Sequence, residues 1–412
     1  MVEDSVKQLV ILGNGFDLAC GLNSTYDEFF KERFEKVDTD KIIDTLLAHK
    51  PNSHGSALNL KVYGLNPVFK KFTDNLNPDE NYEVKVNYFD LLFMATNRYM
   101  KADKSWSSVE QILQEVLRIM YDQHNSRGFD TNWEIQKRAT ELKDKYFNNY
   151  KFDSDGDKIE FIAFVLHTFN KAVADDDITK GLRHFEETFG KFIANQISDD
   201  YLNKVNNKVT NLIDSKADVL SFNYSATPLF DQQLEDNKKI NNWYNVHGLS
   251  RWGVKYRTIA MNKVNNIAIK LPRPIFGISC YDQDKKEFLS VNDPIRKFTK
   301  GNRRDDQIKE DEFDFLNYTI SPDINKVTIF GHSLGMTDYD YFKEIFQKLN
   351  LANGDLKLEI YCLNTADCHD KVNAIKQMFD EYGHEVSVNA DDLYKNLCKE
   401  NRLAFKYCDE IE

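Results

Sequence analysis

Asn223 and His247 are the residues of this sequence best suited to act on a bond, and glycine-rich turns stand where a phosphate would be met. His247, in Val246-His247-Gly248, follows an apolar segment. An imidazole titrates near neutral pH, so at a strand end it can serve as a general base or remain an ordinary turn residue. Asn223, in Ser221-Phe222-Asn223-Tyr224, also follows an apolar run. A side-chain amide there can bind a sugar hydroxyl, orient a water, or cap a following helix. Gly13-Asn14-Gly15 follows Gln8-Leu9-Val10-Ile11-Leu12 and opens into Phe16-Asp17-Leu18-Ala19. A Gly-x-Gly turn between strand and helix lets backbone N–H groups approach a phosphate. The third glycine of the dinucleotide fingerprint is missing, with Ala19 and Gly21 only approximating it. Asp17 would repel a pyrophosphate, so it is expected to cap the helix or meet a ribose hydroxyl.

Gly331-His332-Ser333-Leu334-Gly335 has two readings. As Gly-x-Ser-x-Gly it is the pattern of a nucleophile elbow, with Ser333 as nucleophile and Asp338, Asp340, Asp367, His369 and His384 downstream as partners. That hydrolase reading leaves few residues for the later strands, and it leaves Gly13-Asn14-Gly15 and Asn223 without a role. As a turn at a nucleotide, Gly331 and Ser333 are ligand contacts. Metal sites are not expected: the six cysteines form no Cys-x-x-Cys pair, and Cys362, Cys368 and His369 read as free side chains. Asp153-Ser154-Asp155-Gly156-Asp157 lacks the terminal Glu of a calcium loop. Trp106-Ser107-Ser108-Val109-Glu110 reads as a helix start with Ser107 as cap. Arg183, His184, Glu186 and Glu187 fall on a helix and either line a pocket or face solvent.

The elements that must position these groups are legible as apolar runs. Strands are expected at 8–12, 217–222, 243–247, 274–278, 326–330, 357–363 and, briefly, 384–388. Tyr341, Phe342, Ile345, Phe346 and Leu349 place a helix between two of them, which makes a βαβ unit. A last helix is expected around 374–379. From about 25 to 215 the apolar spacing is helical, as in Ile112, Leu113, Val116, Leu117 and Met120, then Phe161, Phe164, Val165 and Phe169, then Phe185, Phe189 and Phe192. The expected fold is α/β, a Rossmann-like parallel sheet with a large helical insertion. Residues 1–24 and 216–412 form the core, and 25–215 the insertion or cap. Ligands bind at the carboxyl ends of such strands, and each motif above follows one.

Composition narrows the functions. The net charge of −12 argues against a general nucleic-acid binder. The one basic run, 296–304, is followed by acidic residues and reads as a solvated loop, with a phosphate- or partner-contacting loop as the sharper alternative. No run approaches the roughly 20 apolar residues of a membrane span. The acidic N-terminus is neither a secretory signal nor a transit peptide, so the expected compartment is the cytoplasm.

Taken in order, Leu12–Asp17, Ser221–Tyr224, Val246–Gly248 and Ile329–Gly335 resemble the bacterial AbiH family of phage abortive-infection proteins. The resemblance is strongest over Leu12–Phe30, Trp106…Glu110 and Phe330–Phe342. More distantly the series resembles the sirtuin-like NAD-binding fold. That likeness implies that Gly13, Asn14 and Gly15 take the phosphates of NAD, Asn223 the ribose, His247 the base role, and Gly331 and Ser333 the nucleotide. Phe16, Asp17, Phe222 and His332, in the same segments, complete the candidate contacts. Two departures stand out. Ser225 occupies the position where sirtuin-like proteins place an Asp, and no zinc ribbon is present. The implied function is an abortive-infection effector that binds NAD or a related nucleotide and hydrolyses its N-glycosidic bond. The alternatives are a nucleotide sensor without catalysis and the Ser333 hydrolase. Implied partners are a nucleotide, a phage-derived trigger and further copies of the chain.

Overall fold

The computed structural model describes residues 5–35, 38–48, 88–100, 105–125, 132–147, 154–174, 178–229, 231–251, 272–282, 285, 287–311 and 320–408. The extreme N-terminus, Asp153 and the acidic residues Glu312 and Asp314 lie outside them. The chain divides into two compact units, residues 1–24 with 186–412, and residues 25–185.

Eight strands belong to the first unit: β1 (Gln8–Leu12), β2 (Ala217–Ser221), β3 (Ile240–Asn245), β4 (Tyr281–Asp282), β5 (Glu287–Phe288), β6 (Lys326–Phe330), β7 (Lys357–Cys362) and β8 (Leu403–Tyr407). β4 and β5 make a small antiparallel hairpin, and the other six form one sheet in the order β3-β2-β1-β6-β7-β8. Every pairing in that sheet is parallel. The chain builds outward from β1 through β2 and β3, returns to the other side of β1 as β6, and builds outward again. This is a Rossmann-like doubly wound sheet, and its order reverses between β1 and β6. Leu12 pairs with both Ser221 and Phe330, so the loops after β1, β2 and β6 leave the sheet side by side.

Burial explains why the central strands read as apolar runs. β1 and β2 are buried at every position, as parallel strands covered on both faces must be, whereas the edge strands β3 and β8 are partly exposed. The helices Tyr339–Lys348 and Thr365–Val386 bury Phe342, Ile345, Phe346, Met378 and Phe379 in the sheet core. Each such side chain contributes roughly 1.5–3 kcal/mol by leaving water. Gln8 is a buried polar residue with its needs met: its amide donates to Leu212 O and Thr328 Oγ1, and its Oε1 accepts from Asp214 N–H. It thereby ties the helix Asp199–Leu212 to β1. The division accordingly falls at 185/186 where 215/216 was expected.

The unit 25–185 is helical, with Tyr26–Arg33, Thr39–Ala48, Tyr88–Tyr99, Trp106–Asn125, Asn132–Tyr146 and Asp155–Ala174. Phe29, Phe93 and Phe185 pack with ring centroids 4.9 to 6.2 Å apart. The helix at Trp106 is capped by Ser105, whose Oγ accepts from Ser108 N–H, and not by Ser107.

Three further expectations are corrected. Residues 384–388 finish the helix Thr365–Val386, whose left-handed residue is Ser387 with φ 57°. The run 274–278 forms no strand beyond a single bridge from Ile278 to Thr299. Its amides are satisfied elsewhere: Ile275 N–H donates to His247 O and Phe276 N–H to Glu186 Oε1. The basic run is not a solvated loop. It forms a short 3-10 turn, Arg296–Phe298, and starts the helix Lys300–Asp311. Lys300 and Arg303 point inward to Asp338 and Glu186. Among the described residues, no helix is long and apolar enough to cross a membrane.

Candidate functional site

The loops after β1 and β6 interlock through backbone. Gly13 N–H donates to Phe330 O at 3.0 Å, Gly15 N–H to Gly331 O at 2.7 Å, and Phe16 N–H to Gly13 O at 2.9 Å. Gly331 has φ +70°, and a Cβ on it would lie 2.1 Å from Phe16 N. A Cβ on Gly13 would lie 2.5 Å from His332 Cα. Glycine is required here by the approach of one loop to the other. Of the residues expected to cradle a phosphate, Gly13 and Gly15 therefore have their amides already bonded to carbonyls of the chain, as has the neighbouring Phe16. The Asn14 side chain donates to the backbone carbonyl of Ser24 and accepts from the Ser24 hydroxyl, and Phe16 is buried edge-on against Phe330.

The next layer is a buried network around Asp17. Asp17 Oδ1 accepts from Tyr201 O–H at 2.9 Å and from Asn223 Nδ2 at 3.0 Å, and its Oδ2 accepts from Ser225 O–H at 2.6 Å. It neither caps its helix nor stands at an open mouth. Burial pushes its carboxyl up to about 7, against the three hydrogen bonds that favour the charged form. Asn223 donates its other amide hydrogen to Gly13 O at 2.9 Å. Both amide hydrogens being committed, Asn223 has only its Oδ1 to offer a ligand. The backbone carbonyl of Asn223 accepts from Asn245 Nδ2 at 3.1 Å.

A second cluster joins the ends of β3 and β6. His247 Nε2 and His332 Nε2 each lie 3.4 Å from an oxygen of Asp338, and Lys300 Nζ lies 3.1 Å from Asp338 Oδ1. All four residues are buried. Burial lowers His247 to about 4, with Lys300 adding to the shift, so His247 is neutral at pH 7. Although burial alone would raise Asp338, Lys300 and the two imidazoles hold its carboxyl well below the usual range. The Phe222 ring stands edge-on to both imidazoles, 5.2 Å from His247 and 4.6 Å from His332.

Thus Gly13–Asp17, Phe222, Asn223, His247, Gly331 and His332 meet at the carboxyl ends of β1, β2, β3 and β6. Ser333 follows on the same loop with an exposed side chain. It has no serine-hydrolase relay through its neighbour: His332 Nδ1 accepts from Leu334 N–H at 2.9 Å, and Nε2 faces Asp338. Of the remaining residues of the site, Tyr201 was not expected; Ser225, Lys300 and Asp338 were noted in other roles, as a departure from the NAD-fold pattern, as part of the basic run and as a partner for Ser333. Among the described residues, no group of three His, Cys, Asp or Glu side chains is arranged to hold a metal ion.

The family model for bacteriophage abortive infection AbiH matches residues 9–359. The chain belongs to the AbiH family. The match takes in every loop of the site and ends within β7, and membership points to a role in abortive infection by phage. No curated protein matches this AbiH-family chain.

Proposed function

We propose that this AbiH-family protein binds a nucleotide of the NAD class at the carboxyl ends of β1, β2, β3 and β6 and hydrolyses its N-glycosidic bond. The observation that carries the reading is the meeting of four sequence-distant motifs at the switch point of a doubly wound sheet, where such folds take their ligands. In the step, water adds to C1′ of the ribose and the C1′–N bond breaks. The leaving pyridine keeps the bonding pair and departs neutral, and the proton released by water passes to His247. His247 suits that task because it is uncharged at neutral pH. Asn223 Oδ1, its amide pinned by Gly13 and Asp17, is placed to accept from the water or a ribose hydroxyl. With the amides of Gly13, Gly15 and Phe16 committed, contacts to the phosphates fall to other groups of these loops, exposed Ser333 among them.

One observation favours a binding-only reading. Asn223 retains no donor, so its only hold on a water or a ribose hydroxyl is the hydrogen bond that its Oδ1 accepts. The discriminating experiment is incubation of the purified full chain with NAD, chromatography of the products, and calorimetry of binding. Release of nicotinamide and ADP-ribose, lost in His247→Ala, supports hydrolysis. Tight binding with no product under any phage-derived trigger supports the sensor, and neither binding nor turnover sinks both.

A further inference from the structure

Asp338 is a buried carboxylate faced by three bases that arrive from three parts of the fold. His247 comes from the end of β3, His332 from the end of β6, and Lys300 from the first turn of the helix Lys300–Asp311. The ammonium is 3.1 Å away, whereas each imidazole nitrogen is 3.4 Å away. His247 Nε2 is buried and has no hydrogen-bonding partner, because its approach to Asp338 is not aligned. Lys300 is held firmly: its N–H donates to Ile278 O, and Thr299 Oγ1 caps the turn by accepting from Asn302 N–H. An uncompensated carboxylate at this depth would draw a proton onto an adjacent imidazole. Among the described residues, the other titratable or charged groups around His247 are Tyr341, whose ring is 5.7 Å away and has Arg304 over it, and Tyr224 at 6.2 Å. None of these supplies a second negative charge at neutral pH.

We propose that Lys300 and Asp338 are positioning residues for His247: the ammonium takes up the charge of the carboxylate, so that His247 remains an uncharged base with its proton on the nitrogen facing Asp338. His332 is fixed in the same sense, because its Nδ1 accepts from Leu334 N–H and must be bare, which puts its proton on Nε2. The basic run around 296–304 thereby acquires a role inside the site. The value of a neutral His247 to catalysis rests on the glycosidic reading above, but the charge arrangement does not.

The test is histidine-labelled NMR of the full chain, with the His247 and His332 signals assigned from His→Gln variants. In the wild type, the His247 signal stays in its neutral position down to pH 5. In Lys300→Met its midpoint rises by at least about 1 pH unit, as an opposite charge at this distance dictates. Lys300→Arg restores the low midpoint, and Asp338→Asn combined with Lys300→Met abolishes the rise. If Lys300→Met does not fold, Lys300→Gln is read in its place. An unchanged midpoint in a folded Lys300 variant overturns the proposal. Where NAD is cleaved, the acid limb of the pH–rate profile moves up with the NMR midpoint. Absence of cleavage in the wild type removes the glycosidic reading and leaves the titration to decide the charge arrangement alone.

Discussion

Replacing Gly331 by alanine tests whether the glycines of the site serve loop-on-loop packing. Gly331 sits at φ +70°, and an added Cβ would lie 2.1 Å from Phe16 N and 2.5 Å from Gly15 C. The left-handed backbone costs a non-glycine residue roughly 1–2 kcal/mol. Both overlapping atoms are backbone, so the loops must separate, at about 1–3 kcal/mol for forced repacking. Separation stretches the bond from Gly15 N–H to Gly331 O, now 2.7 Å, which is worth about 0.5–1.5 kcal/mol. The sum is roughly 3–6 kcal/mol, a large part of the 5–15 kcal/mol that holds an ordinary domain together. Gly301 is the control. It lies in the first turn of a helix with open space around its Cα, so Gly301→Ala gains up to about 1 kcal/mol. Urea denaturation followed by circular dichroism and tryptophan fluorescence measures both. A Gly331→Ala protein within about 1 kcal/mol of wild type would refute the packing argument and return these glycines to a ligand.

Asp17 gives a pH prediction. Its folded pKa, about 7, lies above the ordinary 3.8, so the native state holds a proton that the unfolded chain releases. The stability this confers is full below about pH 4 and is lost as pH rises through 7, by up to ~4 kcal/mol. Asp17→Asn removes that slope from the denaturation midpoint, and a slope unchanged in the variant contradicts the assignment. Glu186 is buried, receives Phe276 N–H at 2.8 Å and pairs with the part-buried Arg303 at 2.6 Å, so Glu186→Ala costs about 3 kcal/mol by stranding the guanidinium. A thermal-denaturation loss no larger than that of a surface substitution would show the pair to be dispensable. Ser333 is expected to stay unlabelled by a fluorophosphonate probe, since neither ring nitrogen of His332 is available to it. Labelling lost in Ser333→Ala would instead revive the nucleophile.

Sequence reading reached the sheet where burial wrote a simple pattern. β1, β2 and β6 are buried at almost every position and appear as unbroken apolar runs. It failed where side chains, not ladders, take the backbone's hydrogen bonds. Pro274–Ile278 is apolar and buried, yet Glu186 and the His247 carbonyl satisfy its amides. At His384–Val388 a period-2 pattern competed with Ile375, Met378, Phe379 and Tyr382 at helical spacing, and the helix prevailed. The edge strand β8 is short and mixed in polarity, which hid it. In the site, each motif at a strand end was visible, because glycine, histidine and asparagine stand out after apolar runs. Tyr201 was not, and Ser225, Lys300 and Asp338 were noticed only in other roles, because all four act by spatial approach from distant parts of the chain. Lys300 carried one legible signal, its place in a basic run, but nothing local told that it turns inward to Asp338.

The central claim is that the loops after β1, β2, β3 and β6 form one nucleotide site. A crystal structure of the full chain with NAD, or with a non-hydrolysable analogue, tests it most directly. The account predicts the ribose beside Asn223 and His247 and the phosphates over the loops of Gly15 and Ser333, with the Gly15–Gly331 hydrogen bond intact. A nucleotide bound elsewhere on the chain, or none bound at saturating concentration, would contradict it.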